Sequence, residues 1–386
     1  MEFYRSAIRP LLFRLDAEIS HRAILALCQT LAHSEWVRGT VARQFGVPDQ
    51  QCLRTTVAGV QFPGPVGLAA GFDKNGQAVA LSSRLGFGLI EVGSVSERPS
   101  VGNRSRPRIW RLPADEGLRV YYGCPNDGAA AVAERLRASR CPVPLGVNLV
   151  ETNTGVVTSA ELAAEELVLA IGRFAGIADY LVLNLSCPNI PHGRGGLFDE
   201  PAKLRLLLQG CTCYAALPPI FLKITPPGLA EDPRVIDPIL EAVDPFEFVR
   251  GFILNIPNPN PYATLRTPAA TLDRTRGGIT GPSLRQPTND AIAAWYRRID
   301  RAKHVVVGVG GISCAEDAYD SIRLGASLVQ LYTALIYRGP GLIQTINAGL
   351  NQLLARDGFR NIGEAVGTAN GDSAWRRAMA GITMEN

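Results

Sequence analysis

Residues 180–191 read YLVLNLSCPNIP: an apolar run breaks into Asn184 and Ser186, and Cys187 then stands directly before a proline. A thiol at the end of a buried run can fill space, as free cysteines commonly do. It can also act as a base, because an ordinary thiol pKa of about 8.5 lies near neutrality. Other residues capable of chemistry sit in comparable places. Lys74 follows an apolar run in AAGFDKNG, Lys223 lies in FLKIT, Ser94 ends VGS and Asn148 ends GVN. Asn184, Asn255, Tyr332 and Thr333 end further runs, and VGVGG supplies Gly310 and Gly311. A buried lysine is costly without an anionic partner. Glycines at strand ends let backbone N–H groups approach a phosphate closely. Taken together, these residues point to a phosphorylated, partly anionic planar cofactor, flavin mononucleotide (FMN).

Such residues need a frame that brings them to one place. Eight short apolar runs, at 66–71, 89–95, 145–149, 180–186, 220–225, 251–255, 305–311 and 328–333, show little alternation. That pattern suits strands buried on both faces of a parallel sheet. Helical periodicity falls at 77–85, 129–139, 160–174, 202–214, 235–243, 289–299, 315–324 and 342–354. Eight strand–helix units predict an α/β fold of the (β/α)8 TIM-barrel type, whose strand C-termini carry the chemistry. An open doubly wound sheet would need a strand–GxGxxG–helix fingerprint, which is absent. Long inserts at 96–128 and 256–280 read as irregular loops over the top of the barrel.

The chain has 386 residues, 46% hydrophobic and 19% charged, with a net charge of +4. That charge is too weak, and too evenly spread, to argue for nucleic acid. The eight cysteines lack CxxC spacing and read as reduced thiols in a cytoplasmic setting. The four histidines form no metal-ligand pattern, so no metal is expected. No secretory signal and no transmembrane span is expected. Near the N-terminus, Phe3, Tyr4, Ile8, Leu11, Leu12 and Leu15, then Ile19, Ala23, Ile24, Leu27 and Leu31, recur at helical spacing between Arg5, Arg9, Arg14 and Arg22. Pro10 and Asp16 should divide this stretch into short helices. Helices of this kind either pack on a neighbouring domain or lie in a membrane interface.

The motifs GLAAGFDKNG, GNRSRPRIWRL, GVN, NLSCPN, FLKITP, GGITGPSL, VGVGGI and GASLVQLYTALIYRGP, with the N-terminal helical pair, span nearly the whole chain. In these the chain resembles the class 2, quinone-linked, membrane-associated dihydroorotate dehydrogenases. The resemblance implies a small helical domain over residues 1–42, seated on the cytoplasmic face of the membrane and framing a quinone tunnel with Arg111 nearby. An FMN-binding barrel would follow over 43–386. Flavin contacts would come from Ala70, Gly71, Phe72, Asp73, Lys74, Ser94, Asn148, Asn184, Lys223, Gly281, Gly310, Gly311, Tyr332 and Thr333. Substrate contacts would come from Lys74, Tyr122, Gly123, Cys124, Asn184, Asn189 and Asn255. Cys187, Lys74 and Lys223 would be catalytic, Cys187 as the base. The activity implied is oxidation of dihydroorotate to orotate, with a quinone as acceptor.

Several positions depart from that pattern. Class 2 members carry serine as the base, whereas NLSCPN is the class 1 form. Val120 stands where an asparagine normally contacts the substrate, and Cys124 replaces a phenylalanine. Ile256 follows Asn255 where the family has threonine, and Leu254 replaces a threonine beside the flavin. Ile190 stands in place of another threonine, and Val150-Glu151-Thr152 replaces Gly-Lys-Asn. The flavin side is kept while the substrate side becomes more apolar. Three readings follow: a divergent dihydroorotate dehydrogenase, a paralogue acting on a less polar ring or enoyl substrate, or a catalytically silent FMN-binding membrane protein.

Overall fold

The structure, a computed structural model, describes residues 2–190, 198, 200–225, 233–254 and 264–371. Eight parallel strands close into a barrel. They are β1 (Val66–Leu68), β2 (Leu89–Val95), β3 (Leu145–Leu149), β4 (Tyr180–Asn184), β5 (Ile220–Ile224), β6 (Val249–Leu254), β7 (Val305–Val309) and β8 (Ala326–Leu331). Each pairs with its neighbours in sequence, and β8 pairs with β1 to remove both edges. The strand and helix order agrees with the (β/α)8 expectation.

Side chains alternate along each strand. One set packs against the helices outside, among them Ile90, Val92, Leu181 and Leu222. The inward set starts apolar: Leu89, Val182, Phe221, Ile253, Val307 and Leu328 form one buried cluster with Val57 and Phe62. The last two come from a hairpin, Thr55–Val57 with Val60–Phe62, that plugs the N-terminal mouth. Its two-residue turn, Ala58-Gly59, has φ of 52° and 82°, the left-handed pair that such tight hairpins use. One layer higher, the inward set becomes polar, which places the chemistry at the C-terminal mouth.

The insert at 96–128 is not irregular throughout. Ile109–Leu112 and Gly117–Val120 form a hairpin, and Gly278–Thr280 adds a third antiparallel strand to it. The inserts after β2 and β6 are thereby tied into one small sheet. These strands escaped periodicity because each has only three or four residues.

The N-terminal segment divides where expected. Pro10 opens the helix Arg9–Arg14, and the Asp16 carboxylate caps the helix Ala17–Leu31 by accepting from the N–H groups of Glu18 and Ile19 at 2.9 and 3.0 Å. A further helix, Glu35–Phe45, runs past residue 42, so the expected boundary falls inside it. The hairpin side holds these helices down: Glu18, buried, receives the guanidinium of buried Arg108 through both carboxylate oxygens. Tyr4 donates to the Ile336 carbonyl at 2.7 Å, and Phe13 meets Tyr337 edge-on at 5.3 Å. No described helix is long and apolar enough to cross a membrane.

Elsewhere the helices shift by a few residues. The helix expected at 77–85 shrinks to Val79–Ser82, because the amides of Asn75, Gln77 and Ala78 bond the Asp73 carboxylate instead of a helical ladder. The one expected at 289–299 begins earlier, as Arg285–Arg298, led in by a 3-10 turn at Pro282–Leu284.

Candidate active site

The polar layer of the barrel interior is a connected network. Glu91 on β2 is fully buried and accepts from Asn148 Nδ2 on β3 at 2.8 Å and from Gln330 Nε2 on β8 at 2.6 Å. Lys223 on β5 places its ammonium 3.9 Å from the same carboxylate. Ser94 Oγ donates to Asn148 Oδ1 and accepts from Asn184 Nδ2 on β4 at 2.9 Å. Five strands thus converge on one buried anion–cation pair, which hydrogen bonds satisfy as such a pair requires. Glu91 and Gln330 were not among the expected site residues. The signal was present: a lone carboxylate in LIEVGSV and a lone amide in LVQLYT, each inside an apolar run.

Two acceptors of this layer, Asn184 Oδ1 and Gln330 Oε1, are buried without a hydrogen-bond partner. Buried polar atoms are nearly always paired, so such atoms at a cavity wall mark a place for a ligand. Gln330 lines a cavity together with Ala70, Lys223, Gly281, Gly310, Gly311, Tyr332 and Thr333, seven of the residues expected to contact the flavin. Gly310 and Gly311 follow β7 with φ of 119° and 79°, and a Cβ on Gly311 would lie 2.4 Å from the Arg285 backbone. Only glycine fits there. Thr333 Oγ1 donates to Thr280 Oγ1 at 2.8 Å, tying the start of the helix after β8 to the small sheet. Gly71, φ 103°, has nothing within 4 Å of where a Cβ would stand, so its backbone faces open space.

Two of the expected flavin residues face elsewhere. Asp73 is buried and gives its carboxylate to three loop amides, so it shapes the loop after β1 from within. Phe72 lines a second, separate cavity.

Cys187, just past β4, is buried in a small cluster with Val150 and Ile190. Its Sγ lies 3.4 Å from Sγ of Cys124. The Cys124 thiol, the Asn189 backbone N–H and the Lys223 charge together hold the Cys187 thiol below its ordinary pKa against the opposing effect of burial. The Cys124 thiol is pushed well up, by its bond to Cys187 and then by burial. Within the pair, Cys187 is the sulfur favoured as the thiolate and Cys124 the one that keeps its proton.

Lys74 donates to the Gly71 carbonyl at 2.6 Å and lies 4.1 Å over the Tyr122 ring, while Arg108 stacks on that ring at 5.1 Å. Desolvation lowers the Lys74 pKa to about 8. Gly123, φ 67°, accepts through its carbonyl from Asn153 Nδ2 at 2.9 Å, and a Cβ there would meet Asn103 at 2.4 Å. Asn103 in turn donates to the Asn189 carbonyl at 2.9 Å, and Asn189 Oδ1 is buried without a partner. The loops carrying Tyr122–Cys124 and Cys187–Asn189 are thus braced against each other. Val120 packs in an apolar cluster with Ile109, Leu118 and Tyr122. Asn255 and Ile256 lie outside the described residues.

The second cavity runs between the N-terminal helices and the barrel. Its walls are apolar, with Leu12, Phe13, Ile24 and Phe45 on one side and Phe72, Tyr332 and Leu335 on the other. His21 stands against Phe72, ring centroids 5.5 Å apart, and burial lowers its pKa to about 3, so it is neutral. Arg111 also lines the cavity. Its guanidinium donates to the carbonyls of Leu12 and Leu15 at 3.3 and 2.7 Å and to Ser20 Oγ at 3.1 Å, closing the end of the helix Arg9–Arg14. Tyr332 belongs to both cavities and forms part of the wall between them.

Residues 52–354 match the family model described as dihydroorotate dehydrogenase. A protein of Acidithiobacillus ferrooxidans named dihydroorotate dehydrogenase (quinone) is 38% identical over 372 residues, which is 94% of this chain and 98% of that one. Its namesake from Haloarcula marismortui is 37% identical over 93% of this chain and 97% of its own. Among solved structures, that of the Eimeria tenella dihydroorotate dehydrogenase in complex with ferulenol superposes with a TM-score of 0.76 at 27% identity, covering 92% of this chain and 95% of that one. With a barrel that superposes on a solved member and relatives of this identity over nearly its full length, the chain belongs to the dihydroorotate dehydrogenase family.

Proposed function

We propose that this protein oxidises dihydroorotate to orotate and passes the electrons to a quinone, a step of pyrimidine biosynthesis. The observation that carries the reading is the placement of Cys187. It is a thiol held toward its thiolate, at the C-terminal mouth of the barrel, beside the Lys223–Glu91 layer. The residues fit FMN: orphaned acceptors on Asn184 and Gln330, an open backbone face at Gly71, and a glycine-lined cavity end at Gly310 and Gly311. Ser94, Asn148, Asn184 and Lys223 would hold the flavin ring, and the backbone at Gly281, Gly311 and Thr333 its phosphate. When bound, FMN supplies two-electron acceptance from the substrate and delivery to the quinone.

The rest of the chemistry belongs to the chain's own side chains. The Cys187 thiolate takes the proton from a substrate ring carbon, and the Asn189 N–H and Cys124 thiol keep its sulfur in place. Lys74, with an ammonium depleted of solvent, gains most from a carboxylate brought beside it. Asn184 and Asn189 offer amide edges that match the donor and acceptor edges of a pyrimidine. Lys223 keeps positive charge where negative charge develops. The apolar second cavity, meeting the first at Tyr332, suits a quinone ring entering from a membrane.

The helices around that cavity expose Phe3, Leu11, Leu15, Ile19 and Trp36, the first and last at 73% and 74%. Arg5, Arg9, Arg14 and Arg22 flank them, the composition of an interfacial anchor. On this reading residues 1–42, with the helix that continues to Phe45, form the membrane-facing unit on the cytoplasmic side.

Anaerobic mixing of the purified protein with dihydroorotate tests the proposal by bleaching of the flavin absorbance, followed by its return on adding a quinone. An oxidised flavin that stays yellow at millimolar substrate overturns it. That outcome would favour the reading with a less polar substrate, for which the apolar cluster of Val150, Cys187 and Ile190 is the supporting observation.

A further inference from the structure

Cys124 and Cys187 are 63 positions apart, with no motif linking them, yet their sulfurs stand 3.4 Å apart. A disulfide bond needs about 2.05 Å, so closure calls for an approach of little more than 1 Å. Among the described residues no other pair of cysteine sulfurs is recorded in contact, and all eight thiols are free. The partner loop is held from several sides. Cys124 has φ 55°, the left-handed region rare for a residue with a side chain, and its carbonyl accepts from Asn126 Nδ2 at 3.0 Å. Asn153 fixes the preceding carbonyl. The second thiol is therefore positioned on the first and does not merely drift near it.

We propose that Cys124 and Cys187 form an oxidisable dithiol, which a peroxide closes to a disulfide that removes the base from the reaction. The consequence for turnover rests on the reading of Cys187 as that base; the bridge itself does not. The Cys187 thiolate attacks one peroxide oxygen, breaking the O–O bond and becoming a sulfenic acid while hydroxide leaves and is protonated to water. The Cys124 sulfur then attacks the Cys187 sulfur, expelling that oxygen as a second water and forming the S–S bond. Two thiols and one hydrogen peroxide give one disulfide and two waters. The asymmetry of the pair fits both roles, since Cys187 carries the thiolate character and Cys124 keeps its proton until it resolves the intermediate. Lys223 supplies positive charge beside the reacting sulfur.

The test treats the FMN-loaded protein with hydrogen peroxide, stops it with catalase, alkylates the free thiols and maps the peptides by mass. The expected result is loss of two of the eight free thiols, both in a Cys124–Cys187 linked peptide, with turnover falling in proportion to the linked fraction and returning with dithiothreitol. In Cys124→Ser, peroxide should carry Cys187 on to the sulfinic acid, which dithiothreitol does not reverse. A wild-type map in which Cys124 remains alkylated while Cys187 is over-oxidised overturns the proposal. So does a bridge between any other two cysteines, or an unchanged thiol count. The wild-type map decides whether or not the variant folds. Because it is read by mass, an absent bridge and an absent dihydroorotate activity are seen separately.

Discussion

At the scale of single residues, two groups have their pKa values lowered by identifiable causes: Cys187 by its bond to Cys124, and Lys74 by burial. Removing a general base typically costs about 10²–10⁴ in rate. Cys187→Ala is therefore expected to slow flavin reduction by dihydroorotate by about that factor while FMN stays bound, as stopped-flow absorbance would show. Retained reduction at the wild-type rate would remove Cys187 from the chemistry. The Lys74 pKa of about 8 makes a second expectation. Its ammonium is the form that attracts an anion, and it is lost as pH rises through that value. Orotate affinity, followed by perturbation of the flavin spectrum, should hold steady below pH 8 and weaken above it. For stability the sign is the reverse. Lys74 is 10.5 in the reference state, so its charged form burdens the folded chain below about pH 8 and that burden is relieved as pH rises toward 10.5. Cys187, Lys74 and Lys223 stood out in the sequence as candidates because each is a reactive type in or just after an apolar run. Glu91, which organises the layer beneath them, lies in the middle of such a run, and only its inward direction in the closed barrel reveals its part.

At the scale of elements, the hairpin Ile109–Val120 links three regions. Arg108, just before it, grips Glu18 of the N-terminal helix and stacks on Tyr122 of the loop proposed to meet the substrate. Burial alone would raise the Glu18 pKa, but the bonds and charge of Arg108 outweigh it and hold the carboxyl below its ordinary value. That contribution to stability is present above the unfolded value, near 4.5, and is lost as pH falls through the folded one. Glu18→Gln leaves a buried guanidinium without its anion, which typically costs about 3–5 kcal/mol. The helices should then detach before the barrel unfolds. Quinone reduction is expected to fall more than dye-coupled oxidation of dihydroorotate, and equal loss of both would show that the pair serves only global stability. The expected helices at 160–174 and 315–324 match Ala160–Phe174 and Ala315–Arg323 closely, because each has an apolar face against the barrel. The small sheet was missed because its pairing is between inserts more than a hundred positions apart, and no local period encodes that.

At the scale of the whole molecule, the proposed function divides the work of the two cavities between a water-soluble substrate and a membrane-borne quinone. Replacing exposed Trp36 and Leu11 by aspartate puts charge on the outward face without touching the barrel. Such a protein should lose co-sedimentation with anionic vesicles and slow with a long-chain vesicle-borne quinone, while keeping its rate with a short-chain soluble quinone. Unchanged vesicle binding would place the membrane contact elsewhere on the surface.

The feature that opens the sequence, a cysteine before a proline at the end of YLVLNLSC, was enough to mark a candidate base. Runs of buried apolar residues were enough to count eight strands, since parallel strands covered on both faces leave that trace. What the thiol meets was decided only by the closed barrel. Residues far apart in the chain share no local pattern, so the 3.4 Å contact with Cys124, the Glu91 layer and the wall at Tyr332 exist only once the strands and inserts are packed.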